Sequence, residues 1–239
     1  MGIRRLTAAV LVLGACASGC GGTAQGTAVP PGPAATATPL RAPIVMFLGD
    51  SYTTGGTKTR PERAYAADAA RELGWQVIIG GLGGTGFVAP GATHEPFDAL
   101  FERQLAWRPE PDMIIVAGGH NDRTYAPARV AAAAEALLAK IRQLWPDSRV
   151  LLVGPMWGNG APDPAVLEIR DALGVVARTL KIPFIDPLGG RWITGDRAGH
   201  VGNAVRYIEP DGVHPNAEGH RYLATRLVGE LRRLGLTEP

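Results

Sequence analysis

Five short apolar runs rich in β-branched residues, at 44–48, 77–79, 113–117, 150–153 and 182–185, recur along the chain with longer amphipathic stretches between them. Runs this continuous suit strands buried on both faces, as in a parallel sheet. The intervening segments read as helices. Val130, Ala134, Leu137, Leu138, Ile141 and Leu144 recur at helical spacing, and so do Val166, Ile169, Leu173, Val176 and Leu180. Asn216 is placed to cap a last helix carrying Leu223, Leu227, Leu231 and Leu234, and Pro61 and Pro96 suit first-turn positions. Five β–α units in series imply an α/β fold, a five-stranded parallel sheet with helices on both faces. Ligands of such a fold bind at the carboxyl ends of the strands.

A chain of 239 residues supplies one ordinary core, so one domain is expected, over residues 43–239. Three of its 24 basic residues, Arg4, Arg5 and Arg41, precede residue 43, which leaves 21 against 22 acidic ones in the domain. Without a basic block, nucleic acid is not an expected partner.

Residues 1–20 follow the order of an export signal: Arg4 and Arg5, the apolar run 6–13, then small residues. Both cysteines fall here, and Leu13-Gly14-Ala15-Cys16 and Ala17-Ser18-Gly19-Cys20 each resemble a bacterial lipobox. The expectation is an exported protein, held at the cell envelope through lipidated Cys16 or Cys20, or secreted. Residues 21–42 contain four prolines and no acidic residue, the composition of a linker. As a coil they would span roughly 25 Å. Lacking cysteine, the domain contains no disulfide, thiolate metal site or cysteine nucleophile.

Three clusters follow strands or precede the last helix. Gly49-Asp50-Ser51 follows the first run, and a serine on a tight strand-to-helix turn is exposed at the sheet edge. Alone, such a sequence is usually only a turn. Gly118-Gly119-His120-Asn121-Asp122 follows the third run, where Asn121 is suited to donate to a developing oxyanion, or simply to cap a helix with Asp122. In Asp211-Gly212-Val213-His214, a carboxylate and an imidazole three apart on a loop suit a base and the group that orients it, although a surface loop is the commoner meaning. Pro215 keeps His214 outside regular structure.

Together and in this order, these blocks resemble the SGNH (GDSL-type) hydrolases across essentially all of residues 43–239. The resemblance implies a three-layer α/β/α flavodoxin-like fold and a serine esterase that needs no cofactor or metal. It implies Ser51 as nucleophile, His214 as base and Asp211 as its orienting partner. The oxyanion hole would comprise the Ser51 and Gly84 N–H groups and the Asn121 side chain. The family also has a glycine after the second strand, and one departure lies there: many members have an asparagine just before that glycine, where this chain has Gly80-Gly81-Leu82-Gly83-Gly84-Thr85-Gly86.

That stretch also fits a rival. Gly81-x-Gly83-x-x-Gly86 after a strand matches the dinucleotide fingerprint of an oxidoreductase, which requires a helix to open at the last glycine. Pro90, Gly91 and Pro96 speak against that helix. His94, His120, His200 and His220 share no metal-ligand spacing. Asp122 reads as a loop-holding residue. Asp50, His120, Trp157 and Trp192 are expected to border substrate, with the two tryptophans facing each other across the serine and segment 188–210 as a lid or wall; packing of both on the domain surface is the alternative. The expected substrate is a small-molecule or cell-envelope ester with a short acyl chain, and the expected state a monomer. Lipase or thioesterase action on long chains, acyl transfer to sugars and an inactive surface binding module are the alternatives.

Overall fold

The structure, a computed structural model, describes residues 41–56 and 59–239. The segment expected to be an export signal, with Cys16 and Cys20, and the expected linker up to residue 40 lie outside the described residues. Five strands, β1 (Ile44–Gly49), β2 (Gln76–Gly81), β3 (Met113–Ala117), β4 (Arg149–Val153) and β5 (Phe184–Ile185), form one parallel sheet in the order β2-β1-β3-β4-β5. That order reverses direction at β1, and the switch opens a crevice at the carboxyl ends of β1 and β3.

Side-chain alternation along each strand divides the core in two. Val45, Phe47, Met113, Ile115, Leu151 and Val153 face one layer, where α2 (Tyr65–Leu73) and α7 (Ala217–Leu234) pack. Met46, Leu48, Ile114, Val116, Val150 and Leu152 face the other, covered by α3 (Phe97–Gln104), α4 (Pro127–Leu144) and α5 (Pro164–Leu180). Leu223, Leu227 and Leu231 are fully buried, each burial worth about 1.5–3 kcal/mol. Asn216 caps α7 by accepting from the Glu218 and Gly219 amides at 3.0 and 2.8 Å.

Several boundaries differ from the sequence expectation. Leu144 is 45% exposed, because the helical face rotates outward as α4 ends. Pro96 is the N-cap of α3, not its first residue. The last strand shrinks to Phe184–Ile185, since Ile182 N–H still bonds the Ala177 carbonyl and closes the end of α5. β2 is a sheet edge and is only partly buried. Arg41 grips Asp112 with two hydrogen bonds of 2.8 and 2.7 Å, fastening the chain ahead of β1.

Segment 188–210 is no lid. It contains a short helix, α6 (Ala204–Tyr207), and packs Trp192, Ile193, Ala204 and Ile208 into the α2/α7 layer. Its far end props the Asp211–His214 loop: Asn216 N–H bonds the Tyr207 carbonyl at 2.9 Å, and Glu209 N–H bonds the His214 carbonyl at 2.8 Å.

Candidate active site

The helix α1 (Ser51–Thr54) starts directly after β1, with Asp50 as its N-cap. Asp50 accepts from the Tyr52 amide at 2.9 Å and is buried. It therefore fixes the turn that presents Ser51 and does not line the cavity beside it, which corrects the expectation that Asp50 borders substrate. Ser51 is 6% exposed, so its hydroxyl is reached only through that cavity.

Ser51 Oγ lies 3.1 Å from His214 Nε2, and His214 Nδ1 lies 2.8 Å from Asp211 Oδ2. An ionised carboxylate can only accept, so Nδ1 carries the ring proton and Nε2 presents its lone pair to the serine. Burial acts to raise the Asp211 carboxyl, but the amides of His214 and Val213 and the His214 ring outweigh it and hold the pKa at about 2. At neutral pH Asp211 is charged.

Tyr52, adjacent to the serine, donates its hydroxyl to the Val213 carbonyl at 2.5 Å and lies edge-on to His120, ring centroids 5.2 Å apart. Burial, reinforced by Asp50 and Asp211, pushes its phenol far above the usual range, so it stays a donor. Sequence reasoning missed Tyr52; its place beside Ser51 on α1 was the available signal.

The cavity holds about 590 Å³ and brings together Ser51, Gly84, His120, Asn121, Trp157 and His214. Among the described residues, the backbone N–H groups of Ser51 and Gly84 have no protein acceptor. Gly84 has φ +79°, a conformation that glycine adopts at no steric cost. Asn121 Nδ2 spends one N–H on the Thr85 carbonyl at 2.9 Å, which leaves the other for a ligand oxygen. Asp122, fully buried, accepts from the amides of Phe87, Val88 and Ala89 at 2.8–3.0 Å. Burial pushes its carboxyl up even against those three donors. A Cβ on Gly86 would lie 2.3 Å from that carboxylate, so only glycine lets the loop wrap so closely. Asn121 and Asp122 thus clamp the segment that presents Gly84. No helix opens at Gly86, and the dinucleotide reading fails on that requirement.

His120 Nδ1 is 3.2 Å from Asp50 Oδ2, outside hydrogen-bonding geometry, and remains buried without a partner. Trp157 is half-buried on the cavity wall. Trp192 is not: it is 2% exposed, in the core, and touches only a narrow cleft of about 40 Å³ on the other side of Trp157. The expected pair of tryptophans facing across Ser51 is therefore corrected to one wall residue with the other behind it. The non-periodic sequence around Trp192 held no sign of which way it packs. Arg123, Asn159 and Gly158 also line the cavity and were not foreseen.

A model described as the GDSL-like Lipase/Acylhydrolase family matches residues 47–222. The chain is 32% identical over 196 residues to GDSL lipase Rv0518 of Mycobacterium tuberculosis, covering 77% of this chain and 79% of that protein. Among solved structures it resembles Est24, a carbohydrate acetylesterase from Sinorhizobium meliloti, with TM-score 0.61 and 19% identity over 80% of this chain and 99% of the other. The M. smegmatis aryl esterase superposes with TM-score 0.58 and 21% identity, over 81% of this chain and all of the other. At such identities these two establish the shared fold.

Proposed function

The chain belongs to the GDSL-like lipase/acylhydrolase family and is an ester-hydrolysing enzyme, and from that premise we propose that it works as a serine esterase through Ser51, His214 and Asp211, preferring short acyl chains. The observation that carries this reading is the contact sequence Ser51 Oγ, His214 Nε2, His214 Nδ1, Asp211 Oδ2, with separations of 3.1 and 2.8 Å.

In this reading His214 Nε2 takes the Ser51 proton as Oγ bonds to the ester carbonyl carbon. The carbonyl oxygen becomes an oxyanion that accepts from the Ser51 and Gly84 N–H groups and from Asn121 Nδ2. His214 then gives its proton to the departing alkoxide oxygen, leaving an acyl-serine. Water loses a proton to the same nitrogen, attacks the acyl carbon and releases the acid, and Ser51 Oγ recovers the proton. Asp211 stays ionised throughout and steadies the imidazolium.

The decisive test is labelling with a fluorophosphonate probe. Wild type should carry the adduct on Ser51 and Ser51→Ala should carry none. Labelling that persists in the variant overturns the assignment. His214→Ala should lose nearly as much kcat as Ser51→Ala, about 10⁶-fold, and Asp211→Ala less.

We also propose that the protein is exported and anchored by a lipid on Cys16 or Cys20, on the strength of residues 1–20. Intact mass of material from the native host should show a diacylglycerol or triacyl adduct. An unmodified protein beginning beyond residue 20 overturns it.

A further inference from the structure

Several polar side chains around the cavity have a partner within the protein. Ser51 and His214 face each other, Asn121 has one N–H tied to Thr85, and Asn159 Oδ1 accepts from the Ala161 amide of its own loop. His120 Nδ1 is buried without a hydrogen-bond partner, and Arg123, exposed and just after the turn that holds Asn121, is the one permanently charged side chain of the lining. Among the described residues it forms no salt bridge, and its one hydrogen bond, Nη1 to the His120 carbonyl, is stretched to 3.5 Å. No Asp or Glu lines the cavity, and the residues outside the description contain none. A guanidinium is an always-charged planar fork that matches carboxylate or phosphate oxygens two at a time. Here it lines a reaction cavity and, among the described residues, has no carboxylate to hold.

We propose that Arg123 makes the enzyme selective for esters bearing an anion, a carboxylate or a phosphate, at a distance from the scissile bond. The inference rests on ester hydrolysis at Ser51. Paired with a substrate anion, Arg123 adds an interaction that neutral esters lack. Because the side chain is partly solvated, the gain is modest, about five- to tenfold.

The test compares kcat/KM for matched anionic and neutral esters in wild type, Arg123→Gln, Arg123→Lys and Arg123→Glu. 4-Acetoxybenzoate and 4-acetoxyphenyl phosphate against 4-acetoxybenzamide place the anion on the alcohol side. Phenyl monoadipate against phenyl adipamate places it on the acyl side. In at least one arm, the anionic-to-neutral ratio should fall about five- to tenfold in Arg123→Gln. It should survive in part in Arg123→Lys, fall further in Arg123→Glu and shrink as sodium chloride is raised. Dividing variant ratios by the wild-type ratio removes differences in leaving-group reactivity. A ratio that stays constant across the variants in both arms overturns the proposal while leaving the Ser51 assignment intact. Titrating the same esters into Ser51→Ala, with and without Arg123→Gln, reads binding without turnover. Weaker binding of the anionic ester in the double variant supports the proposal and equal binding overturns it, whereas hydrolysis that persists in Ser51→Ala overturns the serine assignment instead.

Discussion

Tyr52 Oη donates to the Val213 carbonyl at 2.5 Å across 161 residues of chain, joining the helix that presents the serine to the loop that presents the histidine. Without that bond, the 3.1 Å approach of His214 to Ser51 would rest on the loop and on the end of segment 188–210 that props it. Tyr52→Phe should keep fluorophosphonate labelling at Ser51, lower kcat about 10–100-fold through misplacement of the imidazole, and leave KM within a few-fold. Unaltered kcat would mean that segment 188–210 alone aligns His214.

Asn121→Ala removes the side-chain donor of the proposed oxyanion hole. The expected loss is about 10²–10³ in kcat with little change in KM, because the donor acts on charge that develops only in the transition state. Steady-state kinetics on a short-chain ester decides it, and an effect confined to KM reassigns Asn121 to substrate binding.

Its neighbour is expected to fail differently. Asp122→Ala strands three amides, the buried ones of Phe87 and Ala89 and the half-buried one of Val88, so the folded state should lose at least about 2 kcal/mol in urea denaturation. Activity should fall as well, since the freed segment carries Gly84. A stability change below about 1 kcal/mol would show that water replaces the carboxylate.

His220 accepts from the Tyr65 amide at 3.2 Å and is 1% exposed; burial, with a smaller effect from the charge of His214, lowers its pKa from 6.5 to about 4. Above pH 6.5 the ring is neutral in both folded and unfolded chains, and its full contribution to stability is present. Between 6.5 and about 4 the unfolded chain binds a proton that the folded protein does not, so stability falls as pH falls. Most of about 3 kcal/mol should be gone by pH 4.5. His220→Asn keeps a hydrogen-bond acceptor and removes the titration, so its urea midpoint should drop less between pH 7 and 4.5. Equal drops in both proteins would refute the assignment.

Trp157 separates the 590 Å³ cavity from the 40 Å³ cleft beside Trp192. Trp157→Ala should merge the two and move the optimum in a series of acyl esters toward longer chains. Trp192→Ala should instead destabilise by about 3–5 kcal/mol, as core truncations of tryptophan do. An unchanged chain-length profile in Trp157→Ala would remove this residue from specificity.

What the sequence determined by itself were features set by neighbours along the chain. Apolar runs marked all five strands, helical spacing marked the buried stripes of α4, α5 and α7, and Asn216 was recognisable as a cap because capping is a contact two or three residues long. The order of the Gly-Asp-Ser, Gly-x-Asn-Asp and Asp-x-x-His blocks was likewise visible in the letters, and the family model matches across them. Tertiary structure alone decided the rest. Trp192 went into the core, Asp50 became a cap, Tyr52 reached Val213, and Arg123 came to line the cavity with no salt bridge among the described residues. None of these follows from local pattern. Each depends on which surface a non-periodic loop finds opposite it once the sheet has drawn together segments as distant as residues 52 and 213, and a residue's immediate neighbours in the chain carry no record of that meeting.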